Sequence, residues 1–436
     1  MTESDVSGQP KLEATRRVAS SCPFHTTPEQ AALSKDFDAF TFMANPHPIL
    51  ARARQEAPVF YDEETDYWVV TAYDSVRSLL GQPERFSSDI ALDPMFPFDP
   101  AVPEVLTEGE FGARPFILNI DGEEHSEHKR IMSKVLHPRA VADREDDIRL
   151  IARRLISSLP DDESFDFVER FSMVFPALVI FMFLGLPEEV VSDVNRWADA
   201  RMELFFGELP LEQQADEARG MVEFWQFIER HIDEQIDDPG DHFVGDLIRL
   251  LLSGEEEITR NDIANYCWTF LFAGHETTTS QITNMVSDLL LQREAWDAVV
   301  ADSGLINPAV EESLRMNTSV FNLRRRVTEE VTIDGVTIPA DSKVFVVSGG
   351  ANRDVAEFED PDHFTIGRDN ARRHLGFGFG EHFCVGAGLA RLQLRVVLQE
   401  LTAAMPDLAL VDGAERRFIN NAFFCAPRTL WLERKA

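Results

Sequence analysis

One cysteine, Cys384, lies in a stretch rich in glycine and phenylalanine that reads FGFGEHFCVG over residues 377–386. The residues that follow, GAGLARLQLRVVLQEL, predict a helix with one apolar face, whose N-terminus points back at the sulfur. Amide donors and a helix N-terminus favour a thiolate, and Phe377 and Phe383 are expected to keep water away from it. A sheltered thiolate without a second cysteine nearby suits a single-ligand metal site, for which thiolate-bound haem iron is the known case. Three glycines let the backbone turn tightly around the sulfur: Gly378, Gly380 and Gly386.

The order of residue types around this cysteine also carries a family resemblance. The pattern Phe-x-x-Gly-x-His-x-Cys-x-Gly, which places His382 two residues before Cys384, resembles the haem-binding loop of the cytochrome P450 superfamily. Two weaker patterns agree in chain order: Glu312-x-x-Arg315 resembles the family's Glu-x-x-Arg motif, and AGHETT at 273–278 resembles the oxygen-binding stretch of its central helix. The resemblance covers about residue 26 to the end. It implies haem b as cofactor, Cys384 as the axial ligand of its iron, and O2 as co-substrate.

The oxygen-binding stretch lies in the middle of a predicted helix over about residues 259–293, roughly 50 Å long at 1.5 Å per residue. Ala273 and Gly274 remove bulk where a flat cofactor and O2 need space. In a helix, an acid followed by a threonine is ordinarily part of a solvated face. Glu276 and Thr277, however, match the family's acid–alcohol pair. The resemblance implies that the hydroxyl holds oxygen and ordered water while the acid passes protons inward.

A haem carries two propionates, which need cationic or hydrogen-bonding partners. Many relatives have an arginine where Lys129 lies, and lysine donates as a point charge instead of a planar fork, so Arg130 is an alternative. The resemblance proposes these cofactor-binding residues: His125, Lys129, Arg325 and His382, with Phe377, Gly378 and Gly386 from the loop.

Glu312 and Arg315 are three residues apart and therefore face the same side of a helix. Taken alone they are typical of a surface pair, whereas the resemblance implies a buried structural ion pair. Arg353 or Arg368 completes that network, and the sequence leaves the choice open.

Six further residues match segments that line the substrate pocket in the family, and aromatic walls favour apolar, above all aromatic, substrates. Core packing explains any one of these phenylalanines equally well. The predicted pocket residues are Phe96, Phe98, Val320, Phe321, Phe423 and Phe424.

The chain is acidic, with 41 Lys and Arg against 76 Asp and Glu, and a net charge of -35. This argues against binding to nucleic acid or to anionic membrane surfaces. The most apolar stretch, residues 171–187, is shorter than the ~20 residues of a membrane span and contains Pro176, so a buried helix is predicted. Four scattered cysteines without a CxxC pair indicate neither a zinc site nor a dithiol motif. We expect a cytoplasmic protein.

Hydrophobic periodicity predicts a mainly α fold with a minor β component, which the resemblance refines to the cytochrome P450 fold, a triangular helical domain with small sheets around a buried haem. Residues 1–25 are polar and without periodicity and predict a disordered tail. No linker divides the remainder, so 26–436 is predicted to be a single catalytic domain. The stretch EVTIDGVTIPADSKVFVVS alternates like strands around a turn at Asp334 and Gly335.

The expected function is that of a haem-thiolate monooxygenase. It would insert one oxygen atom of O2 into a small apolar organic substrate by hydroxylation or O-dealkylation. Two alternatives remain open: an H2O2-driven peroxygenase, whose known relatives lack the acid–alcohol pair, and a non-enzymatic haem-based sensor. Turnover with a donor and O2, compared with H2O2 alone, discriminates between them.

No flavin or iron–sulfur segment is visible, so electrons, ultimately from NAD(P)H, are expected from a separate ferredoxin or reductase. The stretches EAPVFY, YWVVT and NPAVEESLR are also similar to haem domains of bacterial P450s fused to a phthalate-dioxygenase-type reductase. Arginines close to the thiolate loop would give an acidic partner a positive docking patch: Arg372, Arg373, Arg391 and Arg395.

Overall fold

The computed structural model describes most of the chain, namely residues 24, 27–39, 42–190, 193, 196–197, 204–206, 209–418 and 421–435. The tail predicted over 1–25 lies outside the described residues apart from Phe24. The single domain over 26–436 stays a prediction.

Most of the described chain is helical, which confirms the predicted fold class. The α-helices are, in chain order, α1 Pro28–Asp36, α2 His47–Glu56, α3 Tyr73–Leu80, α4 Ala101–Glu108, α5 Gly122–Val135, α6 Pro138–Ala142, α7 Glu145–Ser157, α8 Val174–Leu184, α9 Leu211–Gln235, α10 Phe243–Ser253, α11 Arg260–Leu291, α12 Arg293–Ala301, α13 Ile306–Met316, α14 Ser348–Ala351 and α15 Ala387–Ala404.

Short strands form three small sheets among the described residues. The strands are β1 Val59–Asp62, β2 Tyr67–Val70, β3 Phe86–Ser87, β4 Phe165–Asp166, β5 Leu323–Val327, β6 Val331–Ile333, β7 Val336–Ile338, β8 Lys343–Val346, β9 Leu408–Leu410 and β10 Trp431–Arg434. The first sheet has the order β1-β2-β8-β5-β3, the second β4-β10-β9, and the third is the hairpin β6-β7. In the hairpin, Asp334 and Gly335 both have positive φ, 49° and 79°, as the predicted turn requires.

Helix α11 is the central element and packs against α8, α9, α13 and α15. It begins with a capping box in which Thr259 and Asp262 bond each other's backbone N–H groups. Most of its 32 residues are buried, and the buried residues lie on every side of the helix, as expected of a helix that crosses the core. This central position is what places the middle of α11 against the functional site.

The apolar stretch around Pro176 forms the buried helix α8, which ends at Gly185 with a positive φ of 68°. Proline is tolerated there because it lies in the first turn, where backbone N–H groups lack intrahelical partners. In the described part of the chain, no helix has the length and apolar character needed to cross a membrane.

Candidate active site

A largely apolar cavity of about 300 Å³ separates the middle of α11 from the loop that carries Cys384. Its walls come from α5, α11, β5, the loop before α15 and the C-terminal turn. Cys384 lines this cavity from one side, and Ala273 and Thr277 of α11 also line it. Segments more than a hundred residues apart in sequence therefore converge on one cavity.

The tight conformation of the cysteine loop depends on its glycines. Gly378 and Gly380 have φ values of +71° and +74°, which residues with side chains rarely adopt. A Cβ at Gly380 would also lie 2.7 Å from the carbonyl oxygen of Leu80, at the end of α3. The N–H of Cys384 donates to the carbonyl of Phe377 at 2.9 Å, which closes the loop. The loop is thus held by its own backbone and by α3.

The surroundings of the Cys384 sulfur act on its pKa in opposite directions. Burial raises the pKa, while the N–H groups of Gly386 and Ala387 and the charges of Arg391 and Lys129 lower it. Burial is the largest of these effects, so the net direction of the Cys384 pKa is upward, and the thiolate ligand stays a prediction. The amide donors that favour a thiolate are nevertheless present, and coordination to a metal cation deprotonates a thiol outright.

The two phenylalanines of the loop differ in their exposure. Phe377 lines the cavity, and the guanidinium of Arg391 stacks over its ring at 4.6 Å. Phe383 has 43% of its surface exposed, and its shielding of the sulfur stays a prediction. Phe383 lies between this cavity and a second pocket of about 430 Å³, which is on the other side of Cys384. Arg395 also lines the second pocket.

Cationic and imidazole side chains collect along one wall of the cavity. The rings of His125 and His382 lie 4.0 Å apart, and the nitrogens Nδ1 of His125 and Nε2 of His382 lie 3.1 Å from carboxylate oxygens of Glu381 and Asp121. Burial lowers the pKa of His125 to about 4, so this ring is neutral near pH 7. This wall can bind a ligand that carries acidic groups.

Lys129 and Arg325 line the same wall, whereas Arg130 does not. Lys129 donates to the carbonyl of Glu381, while Arg130 forms a bidentate ion pair with Glu256 at 2.5 and 2.6 Å. Of the two alternatives at this position, only Lys129 reaches the cavity. Arg325 is 5% exposed and donates a hydrogen bond to the backbone carbonyl of Arg324, and burial lowers its pKa to about 10.

Glu276 and Thr277, the acid and the alcohol of α11, point in different directions from the helix. Successive helix residues are turned by about 100°, so Thr277 lines the cavity while Glu276 does not. The Thr277 hydroxyl donates to the carbonyl of Ala273 at 2.6 Å, which leaves its oxygen lone pairs available as acceptors. Glu276 is half-buried and accepts a hydrogen bond from Ser280 at 3.1 Å.

Gly274 lines the cavity, but its missing side chain serves helix packing as well. A Cβ built on Gly274 would lie 3.2 Å from Cδ1 of Ile180 in α8. The glycine therefore allows α8 and α11 to approach each other closely.

Glu312 and Arg315 form a fully buried bidentate pair in α13, with N–O distances of 2.8 and 2.9 Å. Arg368 is the third member, because its Nε lies 3.1 Å from Glu312. Arg353 instead donates to the carbonyl of Met316 and to two other side chains. The carboxylate of Glu312 thereby ties α13 to the segment that leads into the cysteine loop.

Three of the six predicted pocket residues line the cavity: Val320, Phe423 and Phe424. The other three do not, which corrects the prediction for Phe96, Phe98 and Phe321. Neighbouring residues of an extended segment point to opposite faces, so Phe321 turns away from Val320 into the core, where it is 0% exposed beside Gly349. Phe98 packs edge-to-face on Phe205 at 5.4 Å, and Phe96 packs against the same core as Phe321.

Several wall residues escaped the sequence reasoning. Phe206 contacts the rings of Phe423 and Phe272 at 4.8 and 5.7 Å, although more than sixty residues separate each pair. No local motif marks such residues, because their proximity arises only from the fold. The cavity-lining residues missed from the sequence include Leu92, Ile117, Leu118, Phe206, Phe270, Phe272 and Arg324.

Each arginine of the predicted docking patch already has a carboxylate partner. Arg391 and Arg372 approach Glu311 at 2.7 and 3.8 Å. Arg373 pairs with Glu357 at 2.9 Å, and Arg395 pairs with Glu145 at 2.5 Å. These partners come from other segments of the chain and reduce the positive charge of the patch.

Comparisons with known proteins agree with this geometry. The sequence profile described as Cytochrome P450 matches residues 60–402. Cytochrome P450 monooxygenase PikC from Streptomyces venezuelae is 33% identical over 376 residues, which cover 85% of this chain and 86% of PikC. The solved structure of cytochrome P450 CREJ in complex with (4-ethylphenyl) dihydrogen phosphate is similar, with a TM-score of 0.88 and 35% identity over 92% of this chain and 100% of that one.

A fused relative is similar to the same extent. An intact type IV self-sufficient cytochrome P450 monooxygenase has a TM-score of 0.89 and 34% identity, and the match covers 94% of this chain but 53% of that one. The chain thus spans about half the length of this relative. The resemblance to self-sufficient P450 haem domains that the sequence indicated is confirmed.

Proposed function

The chain belongs to the cytochrome P450 family, whose members are haem-thiolate monooxygenases, and we propose that it oxidises small apolar, aromatic compounds by hydroxylation or O-dealkylation. As a member, it binds haem b and uses O2 with electrons derived from NAD(P)H. The observation that carries the proposal is the position of the Cys384 sulfur, which lines an aromatic-walled cavity together with Thr277 of α11.

The donor set around the cavity fits a haem. One cysteine is available as the iron ligand, and the walls offer apolar contact to a flat macrocycle. Arg325 is the most telling residue, because its buried guanidinium bonds a backbone carbonyl and forms no direct ion pair among the described residues, although the carboxylate of Asp121 acts on it electrostatically. A propionate would supply the missing negative charge. His125, Lys129 and His382 would hold the acidic edge together with Arg325.

When bound, the haem supplies the activation of O2 that amino-acid side chains cannot provide. The chain supplies the sulfur of Cys384, held by the backbone loop and by the first N–H groups of α15. The guanidinium of Arg391 stacks over the ring of Phe377 and holds this ring of the cysteine loop in place. The apolar walls exclude bulk water, which would divert reducing equivalents.

We assign proton handling to Thr277 and Glu276. The Thr277 hydroxyl donates to Ala273, so its oxygen can accept a hydrogen bond from a water in the cavity. Glu276, the residue before Thr277, does not line the cavity, and its half-buried carboxylate can exchange protons with the interior of the protein. The two groups would act in sequence, with a water between them.

The aromatic character of the substrate is inferred from the cavity wall. Phe206, Phe272, Phe423 and Phe424 line it, and aromatic rings favour aromatic ligands through edge and face contacts. The structure of CREJ, the similar protein described above, is a complex with (4-ethylphenyl) dihydrogen phosphate. This likeness supports an aromatic substrate for the present chain.

We place the redox partner on the surface beyond Cys384, where the second pocket opens beside Lys129 and Arg395. The patch of Arg372, Arg373, Arg391 and Arg395 lies around the same loop. Since these arginines are already ion-paired, electrostatic steering of an acidic partner by them would be modest and sensitive to salt.

Turnover of a simple aromatic substrate such as 4-ethylanisole tests the proposal. We expect product with a ferredoxin, its reductase, NAD(P)H and O2, and little product with H2O2 alone. Product formed only with H2O2 would favour a peroxygenase, and no product under either condition with a normal haem spectrum would favour a sensor. Cys384→Ala, which lacks the sulfur, is the negative control.

A further inference from the structure

Arg324 is a buried cation at the substrate cavity. It is 1% exposed and lines the cavity. Its Nη2 donates to the carbonyls of Ala91 and Asp93 at 2.9 and 2.5 Å, and its Nη1 approaches the sulfur of Met95 at 3.5 Å. Tyr67 is a further side-chain hydrogen-bond partner, and the carboxylate of Asp93 acts on the guanidinium electrostatically without forming an ion pair with it. The Nε has no hydrogen-bond partner among the described residues, so donor capacity remains there.

Other arginines of the same region have carboxylates supplied by the chain. Fully buried Arg315 has Glu312 at 2.8 Å, and Arg326, in the same strand as Arg324, has Asp89 at 2.5 Å. Burial of a charge without a direct ion pair is unfavourable, and the nearby carboxylate of Asp93 and the rings of Phe423 and Phe206, 4.6 and 5.7 Å from the guanidinium, offset only part of that cost. An anion supplied from outside the chain would offset the rest.

The haem does not explain Arg324. Side chains alternate along β5, so Arg324 and Arg325 point to opposite faces of the strand. The carboxylate of Asp121, which lies 3.1 Å from His382, acts electrostatically on Arg325, so Arg325 belongs to the side where the propionates are proposed. Arg324 lies instead between the rings of Phe206 and Phe423, in the aromatic part of the wall.

We propose that Arg324 binds an oxyanion, a carboxylate or a phosphate, carried on an aromatic substrate. This inference rests on the proposed function, because it assigns the aromatic part of the cavity to the substrate. Ser348 lines the same cavity and has a hydroxyl without a hydrogen-bond partner among the described residues, so it offers a second donor. The ring packs on Phe206 and Phe423 while its acidic group meets Arg324, which fixes the end of the substrate that faces away from the reacting centre.

Equilibrium dialysis of the ferric holoprotein tests this inference without turnover. Two pairs of compounds compare charged with neutral ligands of similar shape: 4-ethylbenzoate with 4-ethylbenzamide, and phenyl phosphate with anisole. Charge-assisted hydrogen bonds are the strong ones, so we expect at least one anion to bind about 10-fold or more tightly than its neutral partner. The pair that shows the preference identifies the acidic group.

Arg324→Gln should abolish that preference while the Kd of the neutral compound stays within about twofold. Arg326→Gln is the matched control, since it removes an arginine of the same strand that is already paired with Asp89, and it should keep the preference. Equal affinity for both members of each pair in the parent protein overturns the inference. So does an Arg324→Gln variant that weakens charged and neutral ligands equally, because this indicates a purely structural arginine.

If Arg324→Gln does not fold, the inference is tested by comparing anion with neutral binding in the parent protein and in an Arg324→Lys variant. Lysine keeps the positive charge and should therefore keep part of the anion preference. Failure of the anion preference leaves the proposed function intact when neutral aromatic compounds are still turned over. Failure of turnover with a retained anion preference would refute the proposed function alone.

Discussion

Replacing Glu312 by glutamine should destabilise the protein strongly, because this one carboxylate serves two buried arginines. It accepts two hydrogen bonds from Arg315, at 2.8 and 2.9 Å, one from Arg368 at 3.1 Å, and one from the N–H of Thr365 at 2.9 Å. The side chain of Arg315 is 0% exposed and that of Arg368 is 8% exposed. Glutamine keeps the shape and one acceptor but leaves both guanidinium charges without their carboxylate.

Breaking a buried ion pair by removing one partner costs about 3–5 kcal/mol. We therefore expect Glu312→Gln to lose about that much free energy of unfolding, seen as a lower urea midpoint by circular dichroism and by haem absorbance. The matched control is Asp297→Asn, which breaks the exposed pair with Arg293, where the side chains are 43% and 58% exposed. Exposed pairs contribute about 0–1 kcal/mol, so this variant should resemble the parent.

A Glu312→Gln variant that unfolds at the same urea concentration as Asp297→Asn would refute the reasoning. It would mean that the network is rearranged or hydrated in solution. Because Thr365 and Arg368 precede the cysteine loop, we also expect Glu312→Gln to release haem at lower urea than the loss of helix, whereas Asp297→Asn should show coincident transitions.

Three further predictions follow from other sites. Thr277→Ala should leave substrate binding and reduction nearly intact but divert reducing equivalents to H2O2, whereas Glu276→Gln should slow the whole catalytic cycle by about 10²–10⁴-fold if Glu276 relays protons. Both effects are measured as the product and the H2O2 formed per NAD(P)H consumed. Full coupling in Thr277→Ala together with parental turnover in Glu276→Gln would contradict this role. Burial raises the pKa of Asp288 to about 7, so between about pH 4 and 7 the native state holds a proton that the unfolded state has lost, and the free energy of unfolding should fall as pH rises from about 4 to 7. Asp288→Asn should flatten this part of the profile of urea midpoint against pH, and an unchanged profile would count against the raised pKa of Asp288. Gly380→Ala should weaken haem retention through its positive φ and the Leu80 carbonyl, whereas Gly388→Ala, with open space around its Cβ, should retain haem as the parent does.

Residues joined by short sequence motifs were predictable. Cys384 and His382 lie in one loop, and Glu312 and Arg315 in one turn of helix, so their spacing alone brings them together. The fold class was predictable for a similar reason, since helical periodicity and the Asp334–Gly335 turn are local signals.

Residues whose roles depend on distant segments were not predictable. Phe321 was misassigned because a one-residue offset in an extended segment reverses the direction of the side chain. The positive patch was overestimated because the carboxylates of Glu145, Glu311 and Glu357 approach its arginines only in the folded chain. The lack of a direct ion pair at Arg324 among the described residues is likewise visible only after folding, since charged residues surround it in the sequence.

The CO-difference spectrum of the reduced protein tests the central claim most directly, namely that Cys384 ligates the haem iron. We predict an absorption maximum at the position typical of thiolate-ligated haem in the parent protein, and its loss in Cys384→Ala and Cys384→His. The matched controls are Cys267→Ala and Cys425→Ala, which replace two buried cysteines and should keep the spectrum. A thiolate spectrum that persists in Cys384→Ala would contradict the account and assign the ligand to another cysteine.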